Sequence, residues 1–179
     1  MKYRTIVVDP PWEYEEGFAV GPGRGALIVR PLPYPSMTVA AICALPVRDL
    51  SDRDCRLFLW TTNRYLRAAF DVIVAWGFRY RQTLVWHKAD ANLPASVAPN
   101  SAEFILVATR GTPTRLDTMP SAVITTTRSG GHSRKPECWM DYFEQVSPGP
   151  RLEMFARRQR LGWDAWGNEA LCHVEMGAP

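Results

Sequence analysis

The sequence is poor in the residues that hold metals and disulfides. Its 179 residues include 4 cysteines and 3 histidines. Cys43, Cys55, Cys138 and Cys172 form no C-x-x-C pair, and most of them sit in apolar segments. That usage argues against a disulfide scaffold and a cysteine zinc site, and it fits a reducing, cytoplasmic location. His87, His132 and His173 lie too far apart for ligand spacing, so no metal is expected. No apolar run is long enough to cross a bilayer, and the chain opens on polar and then strand-like residues. Neither a membrane anchor nor a signal peptide is therefore expected. A G-x-G-x-x-G fingerprint is also missing, as are internal repeats, low-complexity tracts and any visible boundary, so residues 1–179 read as a single domain. Neither sign of charge dominates. With 21 Lys and Arg against 18 Asp and Glu, the net charge of +3 permits a polyanionic partner without requiring one.

What is present is concentrated near the start. Thr5-Ile6-Val7-Val8 reads as a short strand buried on both faces, and it breaks at Asp9-Pro10-Pro11-Trp12. Prolines cannot donate to a sheet ladder, so the chain must leave the sheet at Asp9. In open α/β sheets the carboxyl ends of the strands are where ligands bind. Asp9 brings an acceptor-only carboxylate, Pro10 a carbonyl and Trp12 a flat aromatic face. Two acceptors beside a π-surface suit a planar ring that carries an exocyclic NH2 group.

The rest of the chain alternates strands and helices. A loop from Glu13 to Pro35, rich in Gly and Pro, carries Arg24 and Arg30 and is long enough to expect a functional role. Thr38 can cap a short helix through Ala44 that Pro46 stops. Arg56–Thr62 is a strand, and Arg64–Trp76 is an amphipathic helix with Leu66, Ala69, Phe70, Ile73 and Val74 on its apolar face and Gly77 as its stop. Phe78–Lys88 and Glu103–Thr109 are strands with no helical pattern between them, so an antiparallel hairpin is expected. Ala122–Thr126 is a strand, Pro136 opens a helix with the stripe Trp139, Met140, Phe143 and Val146, and Leu152–Ala156 and Trp163–Gly167 close the sheet. This order predicts an α/β fold with a mostly parallel sheet and helices on both faces.

Asp9-Pro10-Pro11-Trp12 and the closing run, Leu152-Glu153-Met154-Phe155-Ala156-Arg157-Arg158 through Gly162-Trp163-Asp164-Ala165-Trp166-Gly167-Asn168-Glu169, resemble a known family. It is the adenine-N6 methyltransferase family typified by the catalytic subunit of the eukaryotic mRNA methylase, and more closely its small bacterial and phage members. Weaker agreement lies in Pro33-Tyr34-Pro35-Ser36-Met37, Phe58-Leu59-Trp60-Thr61, Trp76-Gly77-Phe78, Val85-Trp86-His87-Lys88 and Ser133-Arg134-Lys135-Pro136.

The resemblance implies a circularly permuted, Rossmann-like methyltransferase fold, with the catalytic strand first and the cofactor strand near the C-terminus. It implies S-adenosyl-L-methionine as cofactor. Asp9, Pro10, Pro11 and Trp12 would be catalytic, Asp9 and Pro10 holding the target amine and Trp12 stacking on adenine. Lys135, Arg157, Asn168 and Glu169, with Asp9 near the methionine amino group, would bind the cofactor. Apart from the resemblance, Arg24 and Arg30 on the long Gly- and Pro-rich loop are expected to contact nucleic acid. The expected partner is nucleic acid, DNA ahead of RNA, with no membrane and with a homodimer left open. RNA as substrate and a catalytically silent nucleic-acid-binding subunit are the alternatives. The charged turn Arg157-Arg158-Gln159-Arg160 stands where a glycine-rich loop would otherwise follow the cofactor strand.

Overall fold

The structure, a computed structural model, describes residues 1–13, 35–91, 98–114, 120–128 and 134–176. The apolar run near the start forms strand β1 (Tyr3–Val8), in which Ile6, Val7 and Val8 are at most 2% exposed. It is joined by β2 (Ser51–Thr61), β3 (Arg79–Lys88), β4 (Ala102–Arg110), β5 (Val123–Thr126), β6 (Arg151–Met154) and β7 (Asp164–Trp166). Together they make one seven-stranded sheet in the order β5-β3-β4-β2-β1-β6-β7. Strand β4 runs antiparallel to β2 and β3, and the other pairings are parallel. The expected hairpin is therefore the pairing of β3 with β4.

Alternation along β1 sends Ile6 and Val8 to one face of the sheet and Val7 to the other. The first face is covered by the short helix α1 (Val39–Cys43), the turn-length helix α2 (Val47–Leu50) and helix α3 (Leu66–Ala75), through Ile42, Val47, Val72, Ile73 and Trp76. The second is covered by α4 (Glu137–Val146), through Trp139, Phe143 and Val146. Strand β1 thus lies between two layers, which is why its sequence is apolar without alternation.

The local signals act as expected. Thr38 caps α1, its Oγ1 accepting from the Ala41 N–H at 3.1 Å. Gly77, at φ +77°, ends α3, with the Gly77 N–H donating to the Val74 carbonyl and the Phe78 N–H to the Ile73 carbonyl. That reciprocal pair satisfies two helix-end carbonyls.

Some details depart from the sequence reading. Pro46 ends α1 but also opens α2, which the pattern did not show. Strand β2 begins at Ser51 rather than Arg56, because Tyr3 pairs with Ser51 across an irregular register and lengthens the ladder. Strand β6 ends at Met154 rather than Ala156, because Phe155 turns to φ +61° and leaves the extended conformation. The inward face of α3 is Ala69, Val72 and Ile73, with Trp76 just beyond, while Val74 is 73% exposed and Phe70 packs at the surface against Tyr80. The bulk of Trp76 and Val72 takes the space against the sheet and rotates the helix away from the expected stripe.

Candidate active site

Asp9 is the first residue beyond β1, between the carboxyl ends of β2 and β6. The chain leaves β1 towards α1 on one face, and it enters β6 from α4 on the other. Crossovers that part in this way leave a crevice at the strand ends. The proline pair after Asp9 makes a tight turn in which the Trp12 N–H donates to the Pro10 carbonyl at 2.8 Å. The Met37 N–H donates to the Pro11 carbonyl at 2.8 Å, and Trp12 bridges to Met37. Met37, just before α1, is therefore anchored on the turn that follows Asp9.

Trp12 is not placed as an open stacking plate. It is 4% exposed, its ring lies on Tyr65 with centroids 5.1 Å apart and planes 15° apart, and its Nε1 donates to the Trp60 carbonyl at 3.2 Å. An indole so large and so well packed gains more from the core than from solvent, so the turn folds it inward. In this structure it fastens the Asp9 turn to the end of β2.

The Asp9 carboxylate accepts from Lys135, with Nζ 2.7 Å from Oδ2. Lys135 also reaches Glu103 at 3.4 Å, and Glu103 pairs with Lys88 at 2.9 Å. Burial pushes the Asp9 carboxyl above its ordinary value, against the pull of the Lys135 ammonium. Burial would lower Lys135, but the Asp9 and Glu103 carboxylates outweigh it and hold the ammonium above its ordinary value. Burial would likewise raise Glu103, yet Lys135 and Lys88 hold it below its ordinary value. Lys135 is thus a fixed cation between two acids.

A cavity of about 480 Å³ opens beside this pair, within the size range of small-molecule sites. Its polar wall includes Asp9, Lys135, Glu153, Arg157 and Glu169, and its apolar wall includes Val7, Trp60 and Phe143. Glu153 lies on β6 opposite Val7, and burial and then the Asp9 carboxylate push it up to about 7. Beside the cavity, whose lining includes Glu137 and Arg158, Arg160 donates to Glu137, Asp141 and Glu144 of α4 at 3.1, 2.5 and 2.7 Å, and Arg158 pairs with Glu137. The charged turn after β6 is thereby tied to α4, whose first turn follows Lys135.

Residues 3–169 match the model of the MT-A70 family. The chain belongs to the MT-A70 family. Among its relatives, the type II methyltransferase M.MunI of a Mycoplasma is 31% identical, over 94% of this chain and 78% of the relative. The N(6)-adenine-specific methyltransferase METTL4 of mouse is 25% identical, over 97% of this chain and 39% of the relative. The human N(6)-adenosine-methyltransferase catalytic subunit METTL3 is 24% identical, over 94% and 28%. The MT-A70 chain thus spans most of M.MunI and a minor part of each of these two animal proteins.

Of the residues singled out in the sequence, this MT-A70 domain brings Asp9, Lys135, Arg157 and Glu169 to one cavity. Asn168, next to Glu169 in the chain, is exposed and is not among the residues that line it. Pro10, Pro11 and Trp12 form the turn behind Asp9. Arg24 and Arg30 lie outside the described residues. Glu103, Lys88 and Glu153 were missed. The available signal was an acid or base beside apolar residues in or at the end of a strand, which strand patterning alone treats as facing solvent.

Proposed function

We propose that this methyltransferase moves the methyl group of S-adenosyl-L-methionine to the exocyclic N6 amine of adenine in DNA. The observation that supports it most is the Asp9 carboxylate, held by Lys135 at the mouth of a cavity shared by β1, β6 and α4. We read the strand order as a circularly permuted methyltransferase fold within one domain, with β1 as catalytic strand and β6 as cofactor strand. The cavity fits the cofactor chemically. Acceptors Asp9, Glu153 and Glu169 suit an ammonium and ribose hydroxyls, and Lys135 and Arg157 suit a carboxylate. Asn168, which precedes Glu169, would add a ribose contact. When bound, the cofactor supplies an electrophilic methyl group on a sulfonium.

The residues of the chain then act by position. An aromatic amine is a poor nucleophile because its lone pair is delocalised into the ring. With Lys135 on Oδ2, the Oδ1 atom of Asp9 would accept one amine hydrogen. The Pro10 carbonyl, which gives one lone pair to the Trp12 N–H, has a second for the other hydrogen. Acceptors on both hydrogens favour a pyramidal nitrogen whose lone pair faces the donor, and alignment for in-line transfer supplies the rest. The base must leave a duplex to reach this crevice, so a flipped or unpaired adenine reacts. Trp12 supports the turn from behind.

DNA is the substrate in this reading because the chain covers 78% of M.MunI, a type II methyltransferase. RNA is the second reading, favoured by the adenosine methyltransferases it also resembles, one of them a catalytic subunit. A cytoplasmic location rests on cysteine usage alone. Transfer of label from S-adenosyl-L-methionine to DNA and RNA oligomers, with digestion to nucleosides, tests the proposal. Labelled N6-methyldeoxyadenosine is expected. Label in RNA alone would shift the assignment to RNA, and label in neither would remove the proposed activity.

A further inference from the structure

Acids and bases alternate across the end of the sheet, in a line that runs from β3 to β1. Lys88 ends β3, Glu103 opens β4, Lys135 precedes α4 and Asp9 follows β1. Their successive contacts are 2.9, 3.4 and 2.7 Å. The side chains are 11%, 13%, 18% and 31% exposed in the same order, so salt screens them little. Each ammonium also lies near an indole ring, Lys88 at 5.3 Å from the Trp86 centroid and Lys135 at 5.1 Å from that of Trp60. The strand register brings this about, since Trp86 pairs with Glu103 and Trp60 with Ile105.

Two acids and two bases balance. Lys135 is contacted by both carboxylates and lies closer to Asp9 than to Glu103. Without Lys88, Glu103 has, among the described residues, only Lys135 to neutralise it, and the remaining three groups carry one net negative charge. Lys135 is then drawn towards Glu103, and Asp9 loses part of the contact that keeps it ionised and oriented. We infer that Lys88 is a positioning residue for methyl transfer: by holding Glu103, it leaves Lys135 to Asp9. This rests on the reading of Asp9 as the amine acceptor. The other charged groups facing Asp9 are Arg157, which favours its ionised form, and Glu153, which opposes it. Both stay in place in the variants below.

The test is a charge cycle on the full chain, with an oligomer that carries one unpaired adenine. Lys88→Met lowers kcat roughly tenfold and moves the acid limb of the rate profile up by about one pH unit, with KM for the cofactor within about twofold. Lys88→Arg restores most of the rate. In a Glu103→Gln background, Lys88→Met changes kcat by less than about twofold, because Lys88 acts only through Glu103. A defect of the same size in both backgrounds would make Lys88 a packing residue and overturn the inference, as would a wild-type rate and pH profile in Lys88→Met. If Lys88→Met alone does not fold by thermal melting, the comparison of Glu103→Gln with the double variant decides between these outcomes. Asp9→Ala, run alongside, separates the two claims: if it stays active the reading of Asp9 fails, and if it is inactive only the role of Lys88 is at issue.

Discussion

At the scale of single residues, Asp9 and Glu153 share a low-dielectric wall, and each titrates according to its neighbours. In the proposed role Asp9 accepts an amine hydrogen as an ionised carboxylate, and burial raises its pKa. Activity should therefore fall on acidification at a higher pH than an ordinary carboxylate would give, as the acid limb of kcat against pH would show. Asp9→Ala should abolish transfer while leaving the thermal melt near wild type, because the residue lies past the strand end. Asp9→Asn should also be very slow, since its NH2 would meet the target amine donor to donor. Glu153 affects stability instead. Its folded value of about 7 stands above the ordinary 4.5, so below 4.5 it is protonated in both states and carries no penalty. As pH rises from 4.5 through 7 the buried site must take a charge, and stability falls. Glu153→Gln should flatten that part of a stability curve measured by denaturant titration against pH. An unchanged slope would show that Glu153 titrates as it does when unfolded.

At the scale of elements, the turns after β6 and β7 do more than connect strands. Phe155 at φ +61° ends β6 early, and the Ala156 N–H donates to the Trp166 carbonyl at 3.0 Å. This brings Gly167 against the chain, so that a Cβ there would stand 2.3 Å from the Ala156 carbonyl oxygen and 2.6 Å from its nitrogen. Both are backbone atoms that cannot swing aside. Gly167→Ala should cost about 1–3 kcal/mol of stability. It should also weaken cofactor binding, because Asn168 and Glu169 follow directly. Thermal melting and calorimetric titration with S-adenosyl-L-methionine would measure the two effects, and wild-type values in both would remove the close approach as a constraint. On the opposite wall, Arg160 ties the same turn to α4 through three carboxylates. The two halves of the cavity are therefore braced independently of any ligand.

For the whole molecule, the question is how so small a domain engages a polymer. The exposed basic side chains are spread over the surface, Arg79 and Arg81 on β3 among them. Affinity should then come mainly from phosphate contacts, and an adenine already unpaired should avoid a few kcal/mol of unstacking. One adenine placed in single-stranded, mismatched and paired DNA should be methylated fastest unpaired, with loose sequence preference and strong inhibition by salt. Arg24 and Arg30 enter the same test, since Arg24→Ala with Arg30→Ala should raise KM for DNA and flatten the salt dependence. A salt-independent preference for one paired sequence would show that the chain reads duplex bases.

Much of this architecture was legible before any coordinates, because it depends on short-range patterns. An unbroken apolar run needs two covering layers, a proline pair must leave a sheet, and Gly77 stops a helix wherever that helix packs. Asp9 at a strand end, and the order of strands and helices apart from α2, follow from short-range patterns of this kind. What only the tertiary structure decided depends on register and on distance along the chain. Lys135 meets Asp9 across 126 residues, and Glu103 stands between Lys88 and Lys135 because β3 and β4 pair in one register. The inward fold of Trp12 was likewise settled by Tyr65 and Trp60, since a tryptophan after a turn has the same local pattern whether a ring or a ligand covers it. Local chemistry fixes where a chain leaves its sheet; the pairing of distant strands fixes which charges meet there.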